Sequence, residues 1–211
     1  MLILLVMLMF TTAFMLVVIL VEPVRLIFRR LALFIMIPCF IVLMVMSCIM
    51  PTSSCARKSP TNYMCLVIVV ILESLVTGAV TARYRTEIVL LAFIATLACV
   101  ALCVILAFTK FDFTKCILIV TCVMVALAVL TIAVFIARFV FGFYSKPLMI
   151  VLLVAITIAN VVVLIIELQM VLGGRSVELS EADYALGAYL LYTSIVQLFV
   201  LLVQLLGIID S

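Results

Sequence analysis

Histidine is absent from all 211 residues, and only 10% of them carry charge. The first absence removes a serine-histidine protease centre, a histidine-ligated zinc hydrolase and the usual titrating switch near neutral pH. Any pH response therefore has to come from carboxylates. The scarcity of charge excludes a soluble protein: with 71% hydrophobic residues and a mean hydropathy of +1.68, no core of this size could hide the apolar surface. No Gly-rich phosphate loop, no dinucleotide fingerprint and no C-x-x-C pair occurs, and the last apolar run has no lysine at its middle to carry retinal. The chain reads as a non-enzyme with no resident cofactor. Its 12 basic residues sit in short gaps between apolar runs, the placement of topology signals, so nucleic acid is not expected as a partner.

What is present is a succession of apolar runs about 20 residues long, which selects helices over barrel strands. The spans are expected at about 2–21, 31–50, 63–82, 88–108, 116–137, 147–172 and 183–209. This is an all-α membrane protein, a seven-transmembrane-helix bundle forming a single domain over residues 1–211. The first run lacks a basic leader and a cleavage site, so it is read as a retained span. Glu22 to Arg30 is read as a basic connector, Pro38 as a candidate kink and Pro51 to Asn62 as a turn. Seven of the eight cysteines lie within or at the ends of apolar runs and read as small buried hydrophobes; Cys55 falls in a loop.

A few polar residues interrupt the spans. Glu73, Thr77 and Thr81 share a helix face at spacing i, i+4, i+8, and a carboxylate at that depth costs about 2.5–3.5 kcal/mol on insertion scales. Glu73 is either part of an ion pathway or a protonated acid bonded to a neighbouring helix. Asn160 and Glu167, seven residues apart, lie on nearly one face of the sixth span. That span stops at Gly173-Gly174, and Ser180 to Asp183 offers a capping-box-like start to the last helix, which carries Ser194, Gln197 and Gln204. These are hard oxygen donors, suited to Ca2+, Na+ or H+. For Gln197 and Gln204 interhelical hydrogen bonding is the simpler reading, whereas Glu167 is the candidate functional acid.

Several segments resemble the lifeguard branch of the Bax inhibitor motif family. They are Phe108-Thr-Lys-Phe-Asp-Phe-Thr114 after the fourth span, Glu22-Pro-Val-Arg25 after the first, and Leu75-Val-Thr-Gly78 in the third. The tail carries the most specific likeness, in Glu167-Leu-Gln-Met-Val-Leu-Gly-Gly174, Glu178-Leu-Ser-Glu-Ala-Asp-Tyr184, Leu191-Tyr192 and Gln204-Leu-Leu-Gly207. The resemblance implies a protein of endoplasmic reticulum or Golgi membranes that modulates a Ca2+ leak and inhibits apoptosis, with Ca2+ or H+ as the transported or regulatory ion. Partners would be the bilayer, Ca2+ and host membrane or apoptosis-regulating proteins. It assigns the gating or cation-binding acids to Glu167 and, by position, to Ser194, which is no acid; Glu73 is a second acid, and Asn160, Gln197 and Gln204 are supporting polar groups. Arg57 or Lys58 stands nearest to the arginine that latches the pair in bacterial relatives. A glutamate facing a serine chelates a divalent ion poorly, so the alternative is a non-conducting membrane interaction protein. The short, divergent chain lacks the family's Pro/Gly-rich leading extension and looks like a viral or otherwise derived member, such as the seven-span proteins of cytomegaloviruses. Family topology puts the N-terminus in the cytosol and the C-terminus in the lumen. Lys and Arg number seven in the first, third and fifth connectors (three, two and two) and five in the others (two, two and one), an excess that points the other way but is too small to decide.

Overall fold

The computed structural model describes residues 2–52, 61–109, 111–142, 145–174, 179 and 183–210. Seven long helices follow one another: α1 (Leu2–Leu20), α2 (Glu22–Thr52), α3 (Thr61–Thr81), α4 (Thr86–Ala107), α5 (Ile117–Phe141), α6 (Lys146–Leu172) and α7 (Tyr184–Asp210), with a short 3-10 turn at Phe113–Cys116 before α5. Each of the seven contains a window long and apolar enough to cross a membrane, and no strand occurs among the described residues. Large apolar side chains such as Leu2, Phe34, Leu118 and Val151 stand exposed, which only hydrocarbon can solvate.

α2 differs from expectation. It starts at Glu22, one residue after α1 ends, so the basic segment to Arg30 is helical. Backbone bonds cross the junction, from Val21 N–H to Val17 O and from Arg25 N–H to Val21 O, both 3.0 Å. Pro23 falls in the first turn of α2, where a missing N–H costs nothing, and Pro38 lies inside a helix that continues past it. α6 likewise begins with Pro147 in its first turn, and α5 ends on Gly142 in the left-handed region (φ 64), whose N–H meets Ala137 O.

Two compact units divide the chain: Met1–Leu90 with Leu179–Val196, and Leu91–Glu178 with Gln197–Ser211. In the first unit α3 packs on α1 and α2, and half of its central window is buried. α3 accordingly carries four of that unit's buried polar residues, Asn62, Ser74, Thr77 and Thr81. In the second unit α5 packs on α6, yet none of its central window is buried. Its exposed Thr121 and Thr131 donate back to Ile117 O (2.8 Å) and Leu127 O (2.7 Å), which removes the cost of a hydroxyl in lipid.

Candidate functional site

In the first unit the buried polar side chains converge at one depth. Thr11 of α1 and Tyr192 of α7 share a hydrogen bond of 2.7 Å between their hydroxyls, and the Ser74 hydroxyl of α3 lies 3.2 Å from Thr11 Oγ1. Ser74 also reaches Val70 O at 2.6 Å, and Thr11 reaches Met7 O at 3.1 Å. Tyr192 is fully buried, as is Thr77, whose Oγ1 finds no hydrogen bond. Glu73 is partly buried on the same side of α3, and its carboxylate acts electrostatically on Tyr192. Ser194 is buried two residues farther along α7. Gly78 makes the close approach possible: a Cβ there would stand 3.2 Å from Phe14, 3.3 Å from Phe28 and 3.4 Å from Val18.

Both ends of this unit are tied by polar contacts. At one end Asn62 donates to the Tyr184 hydroxyl (3.2 Å), which donates to Tyr63 (3.0 Å), an aromatic pair at the depth where membrane proteins place such rings. At the other, Arg25 donates from Nη2 to Tyr84 O (2.7 Å) and from Nε to Ala82 O (3.5 Å), occupying carbonyls just past the end of α3. Burial pushes the Tyr84 phenol above its ordinary value, against the opposing charge of Arg83. A groove of about 470 Å³ between α1 and α3 is lined by Leu2, Val6, Phe10, Tyr63, Val67 and Ile71 among others; with Tyr63 its one polar residue, it offers an ion no ligands.

The second unit holds Asn160 and Glu167, both buried on α6. Neither Asn160 Nδ2 nor Asn160 Oδ1 finds a hydrogen bond, nor does Glu167 Oε2, although Glu167 is engaged through other interactions. Seven residues of helix separate the two by about 10 Å of axis. No group of three or more Cys, Asp or Glu side chains that could cage a metal occurs among the described residues.

Other expectations turn out differently. Gln197 is exposed and makes no hydrogen bond among the described residues, because the buried side of α7 runs along Leu191, Ser194 and Leu198 and along Tyr192, Val196 and Phe199, which leaves it on the remaining side. Gln204 is partly buried. Arg57, Lys58, Cys55 and the Ser180 cap lie outside the described residues.

Gln169 received no role from the sequence, yet it organises the turn before α5. It is fully buried, its Oε1 accepts from Phe113 N–H at 2.9 Å, and its Nε2 donates to Phe111 O at 2.9 Å and Ala107 O at 3.5 Å. Asp112 completes the turn by accepting from Thr114 N–H (3.1 Å) and the buried Thr114 hydroxyl. The signal was available: Phe108 to Thr114 and Glu167 to Gly174 both carried the family resemblance, and the structure joins them through Gln169.

A family model described as "Inhibitor of apoptosis-promoting Bax1" matches residues 1–211. Similar curated proteins include human Protein lifeguard 3, 30% identical over 152 residues, and its mouse counterpart, 29% identical over 155 residues. Each alignment covers 72% of this chain and 48% of the relative, so the chain spans about half the length of the curated relatives it matches.

Proposed function

The chain belongs to the family of inhibitors of apoptosis-promoting Bax1, and from that membership we propose an anti-apoptotic protein of an intracellular membrane, endoplasmic reticulum or Golgi, that modulates a Ca2+ leak. Glu167 acts as its gate or transient cation ligand. The observation that supports this reading is a buried carboxyl on a membrane-spanning helix, with the unsatisfied amide of Asn160 two turns earlier on the same face. Such a carboxyl costs about 2.5–3.5 kcal/mol to place in the hydrocarbon and is retained where it meets an ion or a proton. Asn160 supports the path, Glu73 is a second acid, and Arg57 or Lys58 is the latch that family resemblance suggests.

A second reading has one observation in its favour. The position that holds the family's other acid is Ser194, so the chain can have kept the fold as a non-conducting interaction protein, for instance a viral modulator of host membrane proteins. Purified protein in liposomes loaded with a Ca2+ dye separates the two. The leak reading expects flux, reduced by Glu167→Gln at least about fivefold, the equivalent of roughly 1 kcal/mol. Ser194→Asp, which restores the missing acid, is expected to steepen the pH dependence of that flux, since paired carboxylates compete for a proton. Equal flux in the Glu167→Gln variant and the parent removes Glu167 as the gate; silence of the parent favours the interaction protein.

A further inference from the structure

Glu73, a second acid in the leak reading, has no step of its own in a gate at Glu167. It stands on the interior stripe of α3, following Leu66, Val69 and Val70 and preceding Thr77 and Thr81, and it makes no hydrogen bond among the described residues. One turn on, Thr77 Oγ1 is also without a hydrogen bond although Thr77 is only 1% exposed. A buried hydroxyl with no partner, one turn from an unbonded carboxyl, leaves two polar groups that a single ligand would satisfy together.

Counting hydroxyl protons identifies that ligand. Ser74 and Thr11 each have one, and each has a main-chain carbonyl of its own helix to receive it, Val70 O at 2.6 Å and Met7 O at 3.1 Å. Either hydroxyl can donate the 2.7 Å contact between Thr11 and Tyr192; with the Thr11 proton on Met7 O, Tyr192 is the donor and its oxygen keeps its lone pairs. A protonated Glu73 carries its own proton and needs no donor. An ionised Glu73 needs donors instead, and two hydroxyls can turn to supply them: Thr77, which has no other partner, and Tyr192, which can leave Thr11.

We propose that Glu73, Thr77 and Tyr192 form a proton-binding site inside the first unit, Glu73 holding the proton and the two hydroxyls receiving the carboxylate when it leaves. The step balances simply: the carboxyl O–H bond breaks, the proton passes to water, and one negative charge stays on Glu73. One carboxylate among neutral hydroxyls matches one positive charge, whereas a divalent ion would leave a net charge in a medium that solvates it poorly. The surroundings agree. α1 contributes Thr11 and no charged residue, and α7 contributes Tyr192. The charges of α2 cluster at its start, where Arg25 is bound at Ala82 and Tyr84, nine residues beyond Glu73 and about 13 Å along the axis of α3.

Infrared spectroscopy of the full chain in lipid vesicles, recorded across a pH titration, tests this without reference to ion flux, so it can fail while the leak reading stands. The expected result is a carboxylic C=O band that fades as pH rises, returns when pH is lowered, and is absent from Glu73→Gln. Tyr192→Phe and Thr77→Val each remove a donor to the carboxylate, so the band should persist to higher pH in both, by on the order of one pH unit. A Glu73→Gln spectrum identical to the parent's overturns the site, as does a midpoint that neither donor variant moves. If Tyr192→Phe does not fold, the isosteric Thr77→Val decides alone.

Discussion

A single amide holds the turn between α4 and α5. The buried Gln169 gives its amide three backbone partners, at 2.9, 2.9 and 3.5 Å. Gln169→Leu keeps most of the volume but strands the Phe113 N–H and the Phe111 carbonyl. At about 1–3 kcal/mol for each buried unsatisfied group, the loss should be about 2–4 kcal/mol. Thermal unfolding of the purified protein in detergent is the check: a clear fall in midpoint is expected, and a midpoint equal to the parent's would show that the turn is held by Asp112 alone. Sequence reasoning could not rank Gln169 above Gln197 or Gln204, because all three are amides near apolar residues. What separates them is distance along the chain. The partners of Gln169 lie 56 to 62 residues away, and periodicity within a helix carries no information about them. Glu73 and Glu167 were legible because a carboxyl in an apolar run is conspicuous by its cost. Thr11 and Tyr192 were not, because a threonine that bonds its own helix and a tyrosine in a membrane span are unremarkable until they meet.

Among the elements, α1 says little in its sequence about how it packs. It is apolar on every side, so hydropathy marks where it crosses without marking the face that packs. The packing face is set from α3, where Gly78 leaves room for Phe14, Val18 and, from α2, Phe28. Gly78→Ala puts a Cβ 3.2 to 3.4 Å from movable side-chain atoms, while alanine gains about 0.5–1 kcal/mol of helix preference, so the net effect should stay within about 1 kcal/mol. Gly78→Leu has no such room and should destabilise by about 1–3 kcal/mol. Unfolding in a denaturing detergent series would measure both, and a well-tolerated leucine would show that α1 and α3 do not need this approach. The helix limits were legible to within a few residues, except at α2. Hydropathy locates the part of a helix that lies in hydrocarbon, but backbone bonds continue beyond it through Glu22 to Arg30, whose charges do not oppose them.

For the whole molecule the open variable is orientation. Seven helices among the described residues are long and apolar enough to cross a membrane, and a crossing by each would put Leu2 and Asp210 on opposite sides of the bilayer. Two arguments then choose between the two arrangements. The basic residues number seven against five, and an excess of two over six connectors gives the insertion machinery little to distinguish. Arg25 weakens the count further, because its guanidinium is committed to the carbonyls of Ala82 and Tyr84 and is a structural tie as much as a topology signal. With Arg25 set aside the difference falls to one. The orientation proposed here is therefore the one that family resemblance implies, with the N-terminal side cytosolic, and it would put the Asp210 end in the lumen. An N-glycosylation acceptor appended after Asp210 should be modified in microsomes, and one placed before Leu2 should not. The reverse pattern would mean that the charge difference, small as it is, overrides the topology expected of the family, and that the Tyr63 and Tyr184 end of the first unit faces the lumen.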